Sequence, residues 1–189
     1  HRAGIRAGKG SIAIPRSATV PRKVRGIIAA PLRMGNCELV VKAVAANVQG
    51  GAFLRMVRLA DKNIQPCNAC YKCLSGDCPL KDDFGAVLSA ILDADGVIVA
   101  APTYVRGPNS SIQRFLDRGL QFWRHVKALR DKPAAAVAVA GGVDGEGRAL
   151  LGVENFLRAM GLAVKGRAVI HAALPGEAIV SEEAGKTIR

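Results

Sequence analysis

Apolar positions along the chain come alternately as short continuous runs and as stripes at helical spacing. Residues 24–30 (VRGIIAA) form an apolar run closed by Pro31, the pattern of a strand buried on both faces. Asn36 is placed to cap a helix in which Leu39, Val40, Ala43 and Val44 share one face, with Glu38 in its first turn; Gly50 and Gly51 stop it. Residues 52–59 (AFLRMVRL) alternate imperfectly and predict a second strand, and a loop rich in Cys, Pro, Asn and Gly fills 61–81. Asp82 opens the next helix, whose buried stripe is Phe84, Val87, Leu88, Ile91 and Leu92. Residues 96–101 (GVIVAA) are the clearest strand, and 102–109 read as a loop. Ser110 is expected to cap a helix that turns Ile112, Phe115, Leu116 and Trp123 inward. Pro133 precedes a fourth strand at 134–140, and Gly141 and Gly142 begin another loop. Leu150, Val153, Leu157 and Met160 mark a helix ended by Gly161, 162–170 read as a fifth strand, and 181–189 as the start of a last helix.

Strict alternation of strand and helix, with no internal repeat, implies an α/β fold of parallel strands joined by right-handed crossovers. Five strands suit a doubly wound sheet of order 2-1-3-4-5 with helices on both faces. Ligands of such sheets bind at the carboxyl ends of the first and third strands, where the strand order reverses. The loops at 31–37 and 102–109 are then expected to meet at one site, flanked by the loop from Gly141. A length of 189 residues suits one domain. It divides into an extension over residues 1–23 and a domain over 24–189 that carries the 61–81 loop.

Half of the residues are hydrophobic but only 4% are aromatic, as expected of Ala, Val, Leu and Ile strands packed between helices. No apolar run approaches the roughly 18 residues that span a bilayer, and the first residues show no secretory pattern, so a cytoplasmic, membrane-free protein is expected. The formal charge is +12. Arg2, Arg6, Lys9, Arg16, Arg22, Lys23 and Arg25 supply seven positive charges with no acid among them, which leaves 20 basic against 15 acidic residues, a balance of +5, for the rest. A basic extension of this kind either holds an anionic partner or nucleic acid, or is simply solvated or wrapped on a neighbouring subunit. No recognition-helix, RNP-type or paired-finger pattern accompanies it, which makes nucleic acid the less favoured partner. His1, His125 and His171 have no spacing that links them to a metal or nucleophile, and no Ser-His-Asp or H-E-x-x-H arrangement is present.

Cysteine carries the chemistry. Cys67, Cys70, Cys73 and Cys78 stand as C-x2-C-x2-C-x4-C followed by Pro79. In a reducing compartment such a group points to metal or redox work rather than to disulfides. Three short gaps in succession wrap a compact object, and a cubane iron–sulfur cluster takes four thiolates. A structural four-cysteine zinc site usually separates two C-x2-C knuckles by a longer span; it, a disulfide and an empty loop are the other readings. Lys72 and Lys81 would offset the negative charge of a cluster. Cys37, alone in the loop after the first strand, reads as a small buried residue at a helix start.

The stretches CNACYKCLSGDCPLKDDF and GVIVAAPTYVRGPNSSIQRFLDR resemble the iron–sulfur flavoproteins, relatives of the NADPH-dependent FMN reductases in the flavodoxin-like superfamily. The resemblance covers roughly residues 24 to 170. It implies a flavodoxin-like fold, FMN and one [4Fe-4S] cluster per subunit, a homodimer or homotetramer, and electrons passing between cluster and flavin with a ferredoxin-like carrier or NAD(P)H as donor. The stretch AAPLRMGNCEL then stands where the family binds the FMN phosphate. Asn36 matches the family's Asn, Ala30 and Cys37 replace its Ser and Thr, and Arg33 stands one place late. The resemblance places Pro102, Thr103, Tyr104, Val105, Arg106 and Gly107 beside the flavin ring, with Tyr104 stacked on it and Arg106 favouring its reduced anion. Gly141 and Gly142 allow close backbone approach from a third loop. Two other functions stay open: an NAD(P)H:FMN reductase with structural zinc on its cysteines, and a flavin-less module that binds a partner or nucleic acid.

Overall fold

The structure, a computed structural model, describes residues 21–142 and 146–180. Nearly all of the basic extension and the helix expected at 181–189 lie outside them. The chain order is β1 (Arg22–Ile28), α1 (Asn36–Ala46), β2 (Ala52–Arg58), α2 (Phe84–Leu92), β3 (Gly96–Tyr104), β4 (Gly107–Pro108), α3 (Ser110–Asp117), α4 (Leu120–Trp123), α5 (Val126–Leu129), β5 (Pro133–Ala140), α6 (Glu146–Ala159), β6 (Ala163–His171) and α7 (Glu177–Val180). One-turn 3-10 segments at Leu59–Asp61 and Lys72–Leu74 punctuate the loop between β2 and α2.

The sheet runs β2-β1-β3-β5-β6, all parallel, which is the doubly wound order expected for five strands. The reversal point lies between β1 and β3, paired in register from Val24 and Gly96 to Ile28 and Ala100. β4 is an addition: β3 runs on to Tyr104 and turns back antiparallel through Gly107, so the segment expected to be a plain loop is the tip of a hairpin.

Period-two alternation splits the core into two halves. Val24 and Ile28 of β1 and Ile98 and Ala100 of β3 pack with Val40, Val41 and Val44 of α1. Ile27, Val97 and Val99 point the other way, against Phe84, Val87 and Ile91 of α2, Phe115 of α3 and Val153 and Leu157 of α6. Gly26 sits where α1 presses closest on the sheet; a Cβ there would come within 2.5 Å of Val41 Cγ1.

The helix expected to run on from Ser110 is broken. α3 ends at Asp117, and α4 restarts beyond Gly119, where a Cβ would lie 3.0 Å from Leu116 O and 3.2 Å from the Phe156 ring. The break puts Phe122 inside, edge-on to Phe84, Phe115 and Phe156, and leaves Trp123 59% exposed rather than buried. Three helix starts also shift. Asn109, not Ser110, caps α3 by accepting from Ile112 N (3.2 Å), and Gly35, not Asn36, is the N-cap of α1. Asp83 is the N-cap of α2, one residue beyond Asp82.

Candidate functional site

The loop after β1 is built by its neighbours. Met34 takes a positive φ of 54°, and Gly35 enters α1 in extended conformation with no side-chain cap. Glu38, buried in the first turn of α1, accepts from Met34 N (3.0 Å), Lys42 Nζ (2.8 Å) and Arg58 Nη2 (2.5 Å), while Arg58 also donates to Leu32 O (3.0 Å). Hydrogen bonds from Lys42 and Arg58 hold the Glu38 carboxyl down at about 2. A depressed carboxyl stabilises the fold above its unfolded value near 4.5, and that contribution disappears as the pH falls through about 2. Glu38→Gln is therefore expected to cost about 2 kcal/mol at pH 7 and progressively less below pH 4.5, read by urea unfolding at pH 7, 4 and 3. A loss equal at all three values would show that charge is not what Glu38 contributes.

The residues expected on the phosphate are placed differently from one another. The Asn36 side chain is committed elsewhere: its amide donates to Leu174 O (2.8 Å) and Ala172 O (3.4 Å), and its oxygen accepts from Gly176 N (2.9 Å) and Ala178 N (3.3 Å). It brackets the loop after β6 rather than facing a ligand. Arg33 lies at the surface, paired with Asp61 at 2.9 Å. Cys37 is 2% exposed in the core face of α1, and burial pushes its thiol up to about 12. The Cys37 side chain therefore belongs to the core, as expected of a small buried residue at a helix start, and does not reach the phosphate position that the resemblance gave it. What this loop presents is backbone: the amino end of an 11-residue helix.

The second loop is the β3–β4 hairpin. Val105 (φ 47°) and Arg106 (φ 64°) both occupy left-handed backbone, as a tight two-residue hairpin demands, but with residues that adopt it reluctantly. Val105 is fully exposed at the tip and Tyr104 is half exposed beside it. Pro102 is buried at the strand's end, and Thr103 Oγ1 is buried without a hydrogen-bond partner among the described residues. Strain of about 1–3 kcal/mol per such residue and an orphaned buried hydroxyl mark places shaped for a ligand. Asn109 fixes the hairpin over the end of β1 by donating to Ala29 O (2.9 Å). Sequence reading missed it, although an Asn before Ser-Ser and an apolar stripe is as good a cap signal as the Ser that follows. Gly141 and Gly142 follow β5 and are exposed.

The cysteine loop springs from β2 and returns at α2. Cys67 and Cys70 are exposed; Cys73 and Cys78 are partly covered. Ala69 (φ 53°) and Tyr71 (φ 56°) take left-handed backbone between the first three cysteines, so the chain curls tightly there. Burial raises the Cys73 thiol, and repulsion from Cys78, Cys67 and Cys70 adds to the rise, so all three other thiols act on it electrostatically. Yet no three His, Cys, Asp or Glu side chains among the described residues are arranged to share one metal ion. The four thiols neighbour one another without closing on a single point.

Cys73 and Cys78 open onto a cleft of about 270 Å³ between α2 and residues 118–125, lined by Lys81, Ser89, Arg124 and His125 among others; no residue of 29–36 or 102–109 lines it. The second half of the cysteine loop is therefore drawn against α2 and residues 118–125. Two ion pairs do this: Asp77 with Arg124 at the surface (3.1 Å), and Asp82 with Arg118, both side chains fully buried (2.5 Å). Asp82 also accepts from Gln65 N (2.9 Å) and Phe84 N (3.1 Å) and so ties the two roots of the loop together. Burial pushes the Asp82 carboxyl up, but the hydrogen bonds from Arg118, Gln65 and Phe84 outweigh it and hold it below its ordinary value. Arg118 escaped sequence reading. Its one signal is position, since it falls between Phe115 and Phe122 on the apolar stripe.

Comparison with known proteins places these features in a family. The family model for NADPH-dependent FMN reductase matches residues 22–174. An iron–sulfur flavoprotein of Methanocaldococcus jannaschii is 35% identical over 125 residues, 65% of this chain and 64% of the relative, so the match spans just under two thirds of that protein. Iron–sulfur flavoproteins of Archaeoglobus fulgidus (30% over 158 residues, 82% of this chain and 71% of the relative) and Methanosarcina thermophila (29% over 147 residues, 76% and 77%) match more of their length. Among solved structures, the Trp repressor binding protein from Bacillus subtilis superposes with a TM-score of 0.64 at 19% identity over 87% of this chain and 94% of its own. An archaeal flavodoxin gives a TM-score of 0.51 at 15% identity over 88% and 92%. These two establish the flavodoxin-like fold. The chain belongs to the NADPH-dependent FMN reductase family of flavin-dependent oxidoreductases.

Proposed function

We propose that this protein is an electron-transfer flavoprotein that binds FMN at the carboxyl edge of β1 and β3 and a [4Fe-4S] cluster on Cys67, Cys70, Cys73 and Cys78. The observation that carries the reading is the four-cysteine loop, curled through left-handed residues at 69 and 71, on the scaffold of a flavin reductase family. When bound, the flavin couples one- and two-electron steps and the cluster carries single electrons.

The amino end of α1 offers N–H groups and a positive dipole end to the phosphate, and Arg33, exposed in the same loop, would add charge on leaving Asp61. Thr103 Oγ1 supplies the unpaired polar atom, and Tyr104 and Val105 an exposed apolar face, for the ring. The donor set of four thiols suits soft iron. The C-x2-C-x2-C-x4-C spacing favours a cluster over zinc, because a structural four-cysteine zinc site usually separates two C-x2-C knuckles by a longer span. NAD(P)H or an acidic ferredoxin-like carrier would supply electrons, in a cytoplasmic homodimer or homotetramer.

The test is reconstitution. Apoprotein incubated with FMN, iron and sulfide without oxygen, then desalted, is expected to keep about four iron and four sulfide per chain, one FMN, and the visible bands of both. Zinc retained without iron would turn the reading into a reductase with a structural metal. Absence of both chromophores would end it.

A further inference from the structure

We infer that Arg118 is a positioning residue for the metal centre, one that donates to the Cys78 sulfur and raises the reduction potential of the cluster the cysteines hold. The inference rests on the cluster reading above. Arg118 Nη2 lies 3.6 Å from Cys78 Sγ in hydrogen-bonding geometry. A guanidinium 2% exposed is unusual, and every side of this one is engaged. Nη1 donates to Asp82 Oδ2 and to Gln65 O (3.1 Å), and Nη2 reaches Asp82 Oδ1 at 3.3 Å. The Gln121 carboxamide, turned oxygen-first, accepts from Nε (2.9 Å) and Nη2 (3.0 Å), and the Phe84 ring lies 4.6 Å beneath the guanidinium carbon.

A plain structural ion pair needs only Asp82. Here Nη1 is held by Asp82 and Gln65 O, while Nη2, shared between Asp82 Oδ1 and the Gln121 oxygen, also reaches one cysteine sulfur, that of Cys78. Hydrogen bonds and charge at the sulfurs set the potential of an iron–sulfur centre within its wide range. Reduction adds one negative charge to a cluster already negative, so a buried cation donating to a ligating sulfur stabilises the reduced form. The planar guanidinium holds several acceptors in one fixed fork, which an ammonium cannot do. Lys81, in the same cleft, is exposed and exchanges its field with water.

The test is a potentiometric titration, followed by visible and EPR spectra, of the reconstituted full chain. Arg118→Met is expected to shift the one-electron equilibrium at least tenfold toward the oxidised form, 59 mV to lower potential, in the clusters it retains. Arg118→Lys is expected to recover part of that shift. Lys81→Met is expected to move it less than threefold. Should Arg118→Met fail to fold, Gln121→Glu keeps Arg118 in place and puts a carboxylate against its Nε and Nη2 edge; the same downward shift is expected at unchanged iron content. A retained cluster with unaltered potential in Arg118→Met, or in Gln121→Glu, overturns the role of Arg118 and leaves the cluster reading standing. A parent chain that takes up no iron overturns both.

Discussion

Arg118→Met is expected to destabilise the apoprotein by about 3–5 kcal/mol, the cost of leaving a buried partner charge uncompensated. Asp82 would remain, fully buried, with only the Gln65 and Phe84 amides to satisfy it. The loss would be a large share of a stability that for most domains totals about 5–15 kcal/mol. Burial alone already works against the Asp82 carboxylate, so the variant has two ways out, protonation of Asp82 or local opening of the loop roots. Each predicts something measurable. Protonation makes the penalty shrink as pH falls from 7 to 5, where the parent pair, its carboxyl held low, is still intact. Opening exposes residues 65–82 to protease at native temperature. The double change Asp82→Leu with Arg118→Met removes both charges and is expected to regain more than half of the loss, because the pair's own net contribution is small while either orphan is costly. Urea unfolding of the three variants by far-ultraviolet circular dichroism settles it. A loss below 1 kcal/mol in the single variant would mean that the loop is not anchored through this pair.

That anchor explains what the sequence could and could not convey. Strand order, the helix stripes and the two core halves follow from local periodicity, since Val24, Ile28, Val40 and Val44, or Ile27, Val97 and Phe84, advertise their faces within a few residues of each other. The cysteine loop is legible for the same reason, four ligands lying within twelve positions. Features that depend on distant partners were not. Asn36 looks like a helix cap or an anion ligand until the loop after β6 arrives, 136 residues later, to occupy both ends of its amide. Arg118 looks like the polar edge of a helix until Asp82 and Cys78 meet it from a loop about 40 residues earlier. Trp123 fails by phase alone: the break near Gly119 advances the helix so that Phe122 turns inward. The place of Cys73 and Cys78 beside α2 is likewise set by two ion pairs, and nothing in the spacing C-x2-C-x2-C-x4-C encodes it.

The five cysteines separate into two classes, and replacing one of each is expected to give opposite results. Changing any of Cys67, Cys70, Cys73 or Cys78 to Ser is expected to cut the iron retained after anaerobic reconstitution at least tenfold, because a hard, protonated hydroxyl replaces a soft thiolate. The left-handed residues at 69 and 71 hold the spacing of the first three ligands, so a neighbouring side chain has little scope to substitute. Cys37→Ala should leave iron unchanged and cost only about 1 kcal/mol, the loss of one buried sulfur from the α1 core. The apoprotein offers an independent check. With its thiol pushed up to about 12 and only 2% of its surface exposed, Cys37 stays protonated and shielded at pH 8. Alkylation by iodoacetamide is therefore expected to modify four thiols promptly and the fifth only after unfolding, with Cys37 identified by peptide mapping. Prior loading with iron should protect the four and leave Cys37 as it was. A chain in which Cys37 reacts with the others, or in which iron survives Cys70→Ser, would mean that the metal is held by a different set of ligands from the four cysteines.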